Sequence, residues 1–260
     1  MKHIITITSL LAAGTLCASA VESFNASEDY SFMWDFSASG AQLGGSSTGG
    51  SFSTTTETIA GVEKTVLTSG TFYEVGTSIL YDAIKAAYDG KGILTFNALL
   101  NWSGTDSVDS ILHIGKKETG VTLGVTQSGT LTFARGNGYN ADKSSQVLTA
   151  GTWQTVSFSL KKDGETTISL DGVSVAGTVL NWSGTGDGKG MNWDSVEAER
   201  EKYSIGIGAP GWSSLYPLTN TKVADLGFSY IAIPEPSVFG LLAGLGALAL
   251  AGTRRRRRKA

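Results

Sequence analysis

The feature that most constrains this chain is a set of short runs in which apolar and polar residues alternate, closed by glycine-containing turns. In residues 155–160 the pattern places Val156, Phe158 and Leu160 on one face of a strand. Residues 167–170 repeat it, and Asp171-Gly172 supplies a tight turn before Val173 and Val175. Further strands are expected at 30–34, 94–99, 204–208 and 225–231, and a hairpin joins 121–125 to 131–133 through Gln127-Ser128-Gly129. One helix is expected over 77–88, where Ile79, Ala83, Ala86 and Ala87 recur at near-helical spacing before Gly90. A second helical patch, 195–202, is highly charged and reads as a surface excursion. Residues 41–56, nearly all Gly, Ser and Thr, read as a flexible loop without a phosphate-loop lysine. Many short strands with Gly-rich turns, in a body of single-domain length, imply an all-β sandwich or jelly roll.

The two ends set limits of a different kind. Lys2 and His3 precede a largely apolar stretch, 4–16, and Ala18-Ser19-Ala20 fits the small-residue rule for signal peptidase, with cleavage after Ala20. Leu16 before Cys17 does not fit a lipobox. Cys17 is the only cysteine, so a mature domain beginning at residue 21 is held by its core and not by disulfides. At the other end, Pro234-Glu235-Pro236 leads into an apolar run, 238–252, and then five arginines and a lysine, 254–259. As a helix those 15 residues reach about 22 Å, short of a hydrocarbon core of about 30 Å. Residues 231–233 offer a partial extension, and the terminal arginines snorkel. The run therefore reads as a marginal, transient transmembrane helix, with its basic end in the cytoplasm and the body outside.

Charge separates the ends from the body. Setting aside Lys2, the six C-terminal bases and Glu235 leaves 13 basic and 22 acidic residues over 21–233, a net charge of −9. Such a domain disfavours nucleic acid and other polyanions and leaves neutral glycans or cations as partners.

The tail resembles the PEP-CTERM sorting signal of Gram-negative bacteria: the Pro-Glu-Pro motif, the apolar helix and the arginines are all present, in that order. The resemblance implies recognition of Pro234, Glu235 and Pro236 by an inner-membrane exosortase. It also implies removal of the tail and delivery to the cell surface or extracellular matrix. The body carries a second resemblance. Gly151-Thr152-Trp153 entering a strand, followed by Ile168-Ser169-Leu170-Asp171-Gly172, is similar to the laminin-G-like domains. The closing strands at 204–208 and 224–230 are similar too. This implies a two-sheet jelly-roll β-sandwich of the concanavalin A-like lectin/glucanase class. Gln154 stands where a His is common in that family. The expected organisation is a signal peptide, 1–20, a β-sandwich domain, 21–233, and a sorting signal, 234–260.

Catalytic chemistry is thin. A glycosidase of this fold needs two carboxylates about 5 Å apart, or about 6.5–9.5 Å when inverting. The nearest sequence candidate, Glu197, Glu199 and Glu201, lacks strand-forming neighbours. His113, within Ile111-Leu112-His113-Ile114, reads as a structural histidine on a strand. One histidine and no cysteine in the mature chain exclude a zinc cluster, and no Gly-x-Ser-x-Gly elbow is present. The local feature of note is a repeat: Asn101-Trp102-Ser103-Gly104-Thr105-Asp106 recurs as Asn181-Trp182-Ser183-Gly184-Thr185-Gly186-Asp187, with an echo at Asn192-Trp193-Asp194. Such tryptophans either stack on a sugar, with Asn101, Asp106, Asn181 and Asp187 binding hydroxyls, or cap the core. Asp106, Asp109 and Asp187 also offer oxygen ligands for calcium. The expectation is a non-catalytic glycan-binding or structural surface protein, the alternative a divergent glycoside hydrolase.

Overall fold

A computed structural model describes residues 24–38, 41–43, 46–75, 78–105, 108–114, 121–135, 140–179, 204–208 and 218–234. Along them run β1 (Tyr30–Met33), β2 (Ser46–Ile59), β3 (Val62–Val75), α1 (Ser78–Tyr88), β4 (Gly92–Trp102), β5 (Asp109–Ile114), β6 (Val121–Val125), β7 (Thr130–Arg135), β8 (Asn140–Val147), β9 (Trp153–Leu160), a 3-10 turn at Lys162–Gly164, β10 (Glu165–Leu170), β11 (Val173–Val179), β12 (Ser204–Ile207) and β13 (Thr221–Ala232). The protein is mostly β. The strands pair antiparallel in one continuous sheet, in the order β11-β10-β9-β4-β13-β3-β12-β5-β6-β7-β8, with β1 beside β13 and β2 beside β3. The two ends of that path meet, since Ser145 Oγ on β8 donates to the Val175 carbonyl on β11. The sheet is thus folded over on itself into a sandwich-like body.

The alternation expected from the sequence fills the space between the layers. Leu94, Phe96, Ala98 and Leu100 of β4 are buried, as are Val156, Phe158 and Leu160 of β9, Ile168 and Leu170 of β10, and Phe228 and Tyr230 of β13, all in one core. Phe228 is a hub, with ring centroids 5.7 Å from Phe96, 5.7 Å from Phe32 and 5.8 Å from Tyr30. Each such side chain contributes about 1.5–3 kcal/mol by leaving water. Every residue of β5 is buried, His113 included. The His113 ring Nδ1 lies 2.7 Å from Thr122 Oγ1, the satisfied structural role expected for it.

The helix packs against β4, β9 and the 3-10 turn. Its termination follows from Gly90, whose φ of +79° is open to glycine at little cost. The Gly90 N–H donates to Ala87 O and the Lys91 N–H to Ala86 O, the paired bonds of a Schellman cap. At the β10–β11 turn, Asp171 and Gly172 both take positive φ, as the Asp-Gly pair predicts.

Two expectations need correction. The Gly/Ser/Thr segment 41–56 is not a loop: from Ser46 onward it is β2, paired along β3 through a turn at Ala60-Gly61. Its threonines at 54–56 are β-branched and suit a strand. The turn escapes notice because Ala60, at φ 51°, is not a usual turn residue. The second correction concerns 231–233, offered above as an extension of the apolar tail. Ile231 and Ala232 are the last residues of β13, and the Ile233 N–H donates to Lys91 O at 2.7 Å. No helix among the described residues is long and apolar enough to cross a membrane. The 238–252 run, the signal segment with Ala18 and Ala20, Glu235, Pro236 and the charged patch 195–202 lie outside the described residues. Pro234 is exposed, directly beyond the sheet.

Candidate functional site

The residues that alternate with the core define the opposite, solvent-directed face of β1, β13, β4, β9 and β10. The pairing register sets them in rows. Ser31 of β1 faces Ser229 of β13, which faces Thr95 of β4, then Ser159 of β9 and Thr167 of β10. Five neighbouring strands therefore present five hydroxyls in one line, roughly 19 Å long at the usual strand spacing. The next row, two residues along, holds Asn97, Ser157 and Ser169, with Gly227 beside Asn97. Ser31 is exposed and the others are half-buried, as small side chains in a sheet centre are. Cross-strand hydrogen bonds order part of the array. Thr95 Oγ1 and Ser159 Oγ are 3.0 Å apart, and Ser157 Oγ donates to Asn97 Oδ1 at 2.9 Å. Neither row contains a charged side chain.

One end of this face is covered. The tip of the β2–β3 hairpin folds across it, where Ile59 and Val66 cluster with Ala224, and Leu99 and Trp153 pack against them. Two ion pairs fasten the tip: Lys64 Nζ to Asp225 Oδ2 and Lys222 Nζ to Glu57 Oε1, each 2.5 Å. Two of the neighbouring carboxylates are thus matched by cations; two more, Glu165 and Asp171, lie two residues beyond the rows at either end of β10 and are exposed. Asp225 sits at a register shift in β13, with φ 49°, which brings its carboxylate to Lys64.

Of the ligand candidates in the repeat, expected in a loop, the structure describes Asn101 and Trp102 and places both on the last residues of β4. Asp106, Asn181, Trp182, Asp187 and Trp193 lie outside the described residues, as do Glu197, Glu199 and Glu201. Asn101 Nδ2 donates to Gly151 O. Trp102 is half-buried and packs against the main core. Its ring lies over Gly129, where an added Cβ would stand 2.6 Å from Cζ3, and its Nε1 is buried without a hydrogen-bond partner among the described residues. Trp102 thus has the placement of a core cap.

Asp109, the third calcium candidate, is buried. Its Oδ1 accepts from the Thr219 N–H and its Oδ2 from the Asn220 N–H, both at 3.1 Å. That carboxylate staples the 219–220 turn onto β5. Among the described residues no three His, Cys, Asp or Glu side chains are grouped to hold a metal. The Gly-Thr-Trp region is tied through Gln154, whose Oε1 accepts from Thr149 N and whose Nε2 donates to Asp171 Oδ2. Asp171 Oδ1 in turn accepts from Thr155 N.

The hydroxyl rows and one buried acid are not legible in the sequence alone. Each serine and threonine of the rows was visible as the polar half of an alternating strand, but their alignment depends on register. Glu74, fully buried on β3, accepts the Gln42 and Leu43 N–H groups on its two oxygens, each at 2.9 Å.

No protein-family profile matches the chain, and no curated protein matches it in sequence. Several solved structures resemble it in shape. The binding domain of botulinum neurotoxin DC in complex with rat synaptotagmin II aligns at 12% identity and a TM-score of 0.48, over 72% of this chain and 44% of that one. The same binding domain in complex with SialylT aligns at 14% identity and 0.47, over 76% and 46%. A Trypanosoma rangeli sialidase aligns at 12% identity and 0.43, over 66% and 26%. This chain spans less than half the length of each. At TM-scores below 0.5 these likenesses carry no argument about ligand or activity.

Proposed function

We propose that this chain is an exported, non-catalytic β-sandwich protein that binds neutral glycan chains at the cell surface, through the hydroxyl and amide rows on β1, β13, β4, β9 and β10. The observation that carries the reading is the row Ser31, Ser229, Thr95, Ser159 and Thr167, backed by Asn97, Ser157 and Ser169. A neutral polysaccharide is recognised by uncharged donors and acceptors repeated along its length, and this face repeats them. A charged polymer gains nothing there, and the net charge of −9 over 21–233 opposes an anionic one. Hydrolysis needs two carboxylates flanking one bond. The rows hold none; of the acids around them Asp225 and Glu57 are in ion pairs, Glu165 lies 3.7 Å from Lys161, and Asp171 accepts from Gln154 and the Thr155 N–H. Export and surface delivery rest on the Ala18-Ser19-Ala20 site and on the tail from Pro234, read as an exosortase handle. A concanavalin A-like jelly roll, cleavage by signal peptidase and a transient transmembrane helix at 238–252 complete the proposal.

The test is a binding and hydrolysis screen of the detergent-solubilised chain against neutral and anionic polysaccharides, with and without calcium. Asn97→Ala with Ser157→Ala removes both partners of one cross-strand hydrogen bond, so stability changes by less than about 1 kcal/mol. Binding weakens by about 1–3 kcal/mol, roughly five- to 140-fold. Turnover of any polysaccharide, or unchanged binding in the double variant, sinks the proposal.

A further inference from the structure

We infer that the end of the sheet at which β13 finishes docks against the lipid surface while the tail is inserted, through Ile93, Ile231 and Ile233. The inference rests on reading 238–252 as a membrane handle and goes beyond it by assigning a contact surface to the folded domain. Ile231 and Ile93 are cross-strand partners on the outward face, and Ile233 follows Ile231 at the same parity. Ile231 is 57% and Ile233 48% exposed, so two large aliphatic side chains stand in water beside a third. Single exposed aliphatics are common, but adjacent ones at the point where a chain leaves its domain are an unpaid cost unless something covers them.

Chain connectivity says what covers them. The five steps from Ile233 to Val238 span at most about 18 Å, and two of the four intervening residues are proline. The headgroup region on each side of a bilayer is about 5–8 Å deep. A handle inserted from residue 238 therefore holds Ile233 within one short, stiff linker of the interface. Nothing rigid separates the two, because Ile233 is hydrogen-bonded to Lys91 O and Ala232 N to Asp29 Oδ1 at the last rung of the sheet. The charged groups at this end include Lys91, Lys161, Lys162, Asp29, Asp163 and Glu165, three of each sign. Apolar insertion, rather than headgroup charge, is the attraction, and each isoleucine side chain taken into the interface adds to it in proportion to its apolar area.

The test uses the full chain in phosphatidylcholine vesicles. Cys17→Ser frees the background, and single cysteines at Ile231→Cys, Ile233→Cys and Val173→Cys carry an environment-sensitive fluorophore. Val173 is equally exposed, at 55%, but belongs to the β10–β11 turn at the other end of the strands. Quenching by lipids with nitroxides near the headgroup is expected at 231 and 233 and not at 173. Vesicle flotation separates the failures. A chain that does not float removes the handle and this inference together. A chain that floats with all three probes equally unquenched leaves the handle and overturns the docking. A probe shift at 231 that appears without lipid and grows with protein concentration assigns the patch to a second copy and also overturns it.

Discussion

Trp102 offers the sharpest check on the sequence's most conspicuous motif. Truncating it, Trp102→Ala, tests whether the Asn-Trp motif is a ligand platform or part of the fold. A buried Trp or Phe cut to alanine costs about 3–5 kcal/mol. Trp102 is only half-buried, which lowers that figure. Its Nε1 is buried without a partner among the described residues, a group that costs about 1–3 kcal/mol and disappears with the ring. Against this, the void opens over Gly129, whose φ of +75° and lack of a side chain leave nothing to fill it. The net loss is about 2 kcal/mol, a fall in Tm of about 4–8 °C for a domain of this size. The neighbouring backbone bonds, Ser103 N to Asn220 O and Gly151 N to Trp102 O, survive the change. Trp102→Phe keeps most of the packing and removes the orphan N–H, so it stays within about 1 kcal/mol of the parent. Urea unfolding followed by tryptophan fluorescence and circular dichroism measures both variants. A loss under about 0.5 kcal/mol for Trp102→Ala, the size of an ordinary surface change, refutes the cap. A Phe variant more than about 1 kcal/mol less stable than the parent shows that Nε1 has a partner. Glycan binding of the folded Ala variant is expected to match the parent.

Two further outcomes follow from the buried polar groups. Glu74→Ala strands the Leu43 N–H in the core and frees the Gln42 N–H, costing about 2–4 kcal/mol, while Glu74→Gln keeps one acceptor and costs less; chemical denaturation and limited proteolysis near 41–43 report both. On the pH axis, hydrogen bonds from the Ser37 side chain and backbone hold the Asp35 carboxyl below its ordinary value. Its contribution to stability is present above the unfolded value and lost as pH falls through the lower folded one, below about pH 4. Burial pushes the Tyr230 phenol up, so its contribution is present below the unfolded value and lost as pH rises beyond about pH 10. Asp35→Asn flattens the acid limb of a stability profile and Tyr230→Phe the alkaline limb, and an unchanged limb in either refutes the assignment.

The strands that carry strict alternation were legible because period 2 is a property of one strand alone. Residues 155–160 and 167–170 fall within β9 and β10, and Asp171-Gly172 makes the turn between β10 and β11. The helix was legible for the parallel reason at period 3.6, and Gly90 marked its end. What failed was judged from composition. Gly and Ser in 41–56 suggested a loop, but strand β2 is imposed by thirteen paired positions along β3, which no local propensity reveals. Glu74 illustrates a second limit. A lone acid in Tyr73-Glu74-Val75 looks solvent-facing, and only tertiary structure shows two backbone donors closing on it. The tryptophan repeat drew notice through similarity between segments, whereas Trp153, half-covered by Ile59 and Val66, drew it only through a family resemblance. The candidate face was invisible for a stricter reason. Its rows run across strands distant in sequence, from Ser31 to Ser229 to Thr95, and a slip of one residue would exchange a hydroxyl for a core side chain, Phe32, Phe228 or Phe96 among them.

The register that builds the rows also relates them to the tail. Rows lie perpendicular to the strands, and β13 points its end at the linker. A domain docked by Ile231 and Ile233 therefore holds its rows parallel to the bilayer. The first row, at Ser229 and Thr95, lies two residues, or about 7 Å, from Ile231 and Ile93. That distance is comparable to the depth of the headgroup region itself. On the two proposals together, lipid and a polysaccharide chain compete for the same end of one face: the tethered domain binds polymer poorly at its first row, and release of the tail exposes that row in full. The hairpin tip closes the opposite end of the face with Ile59, Val66 and two ion pairs, so polymer enters from the side that the membrane vacates.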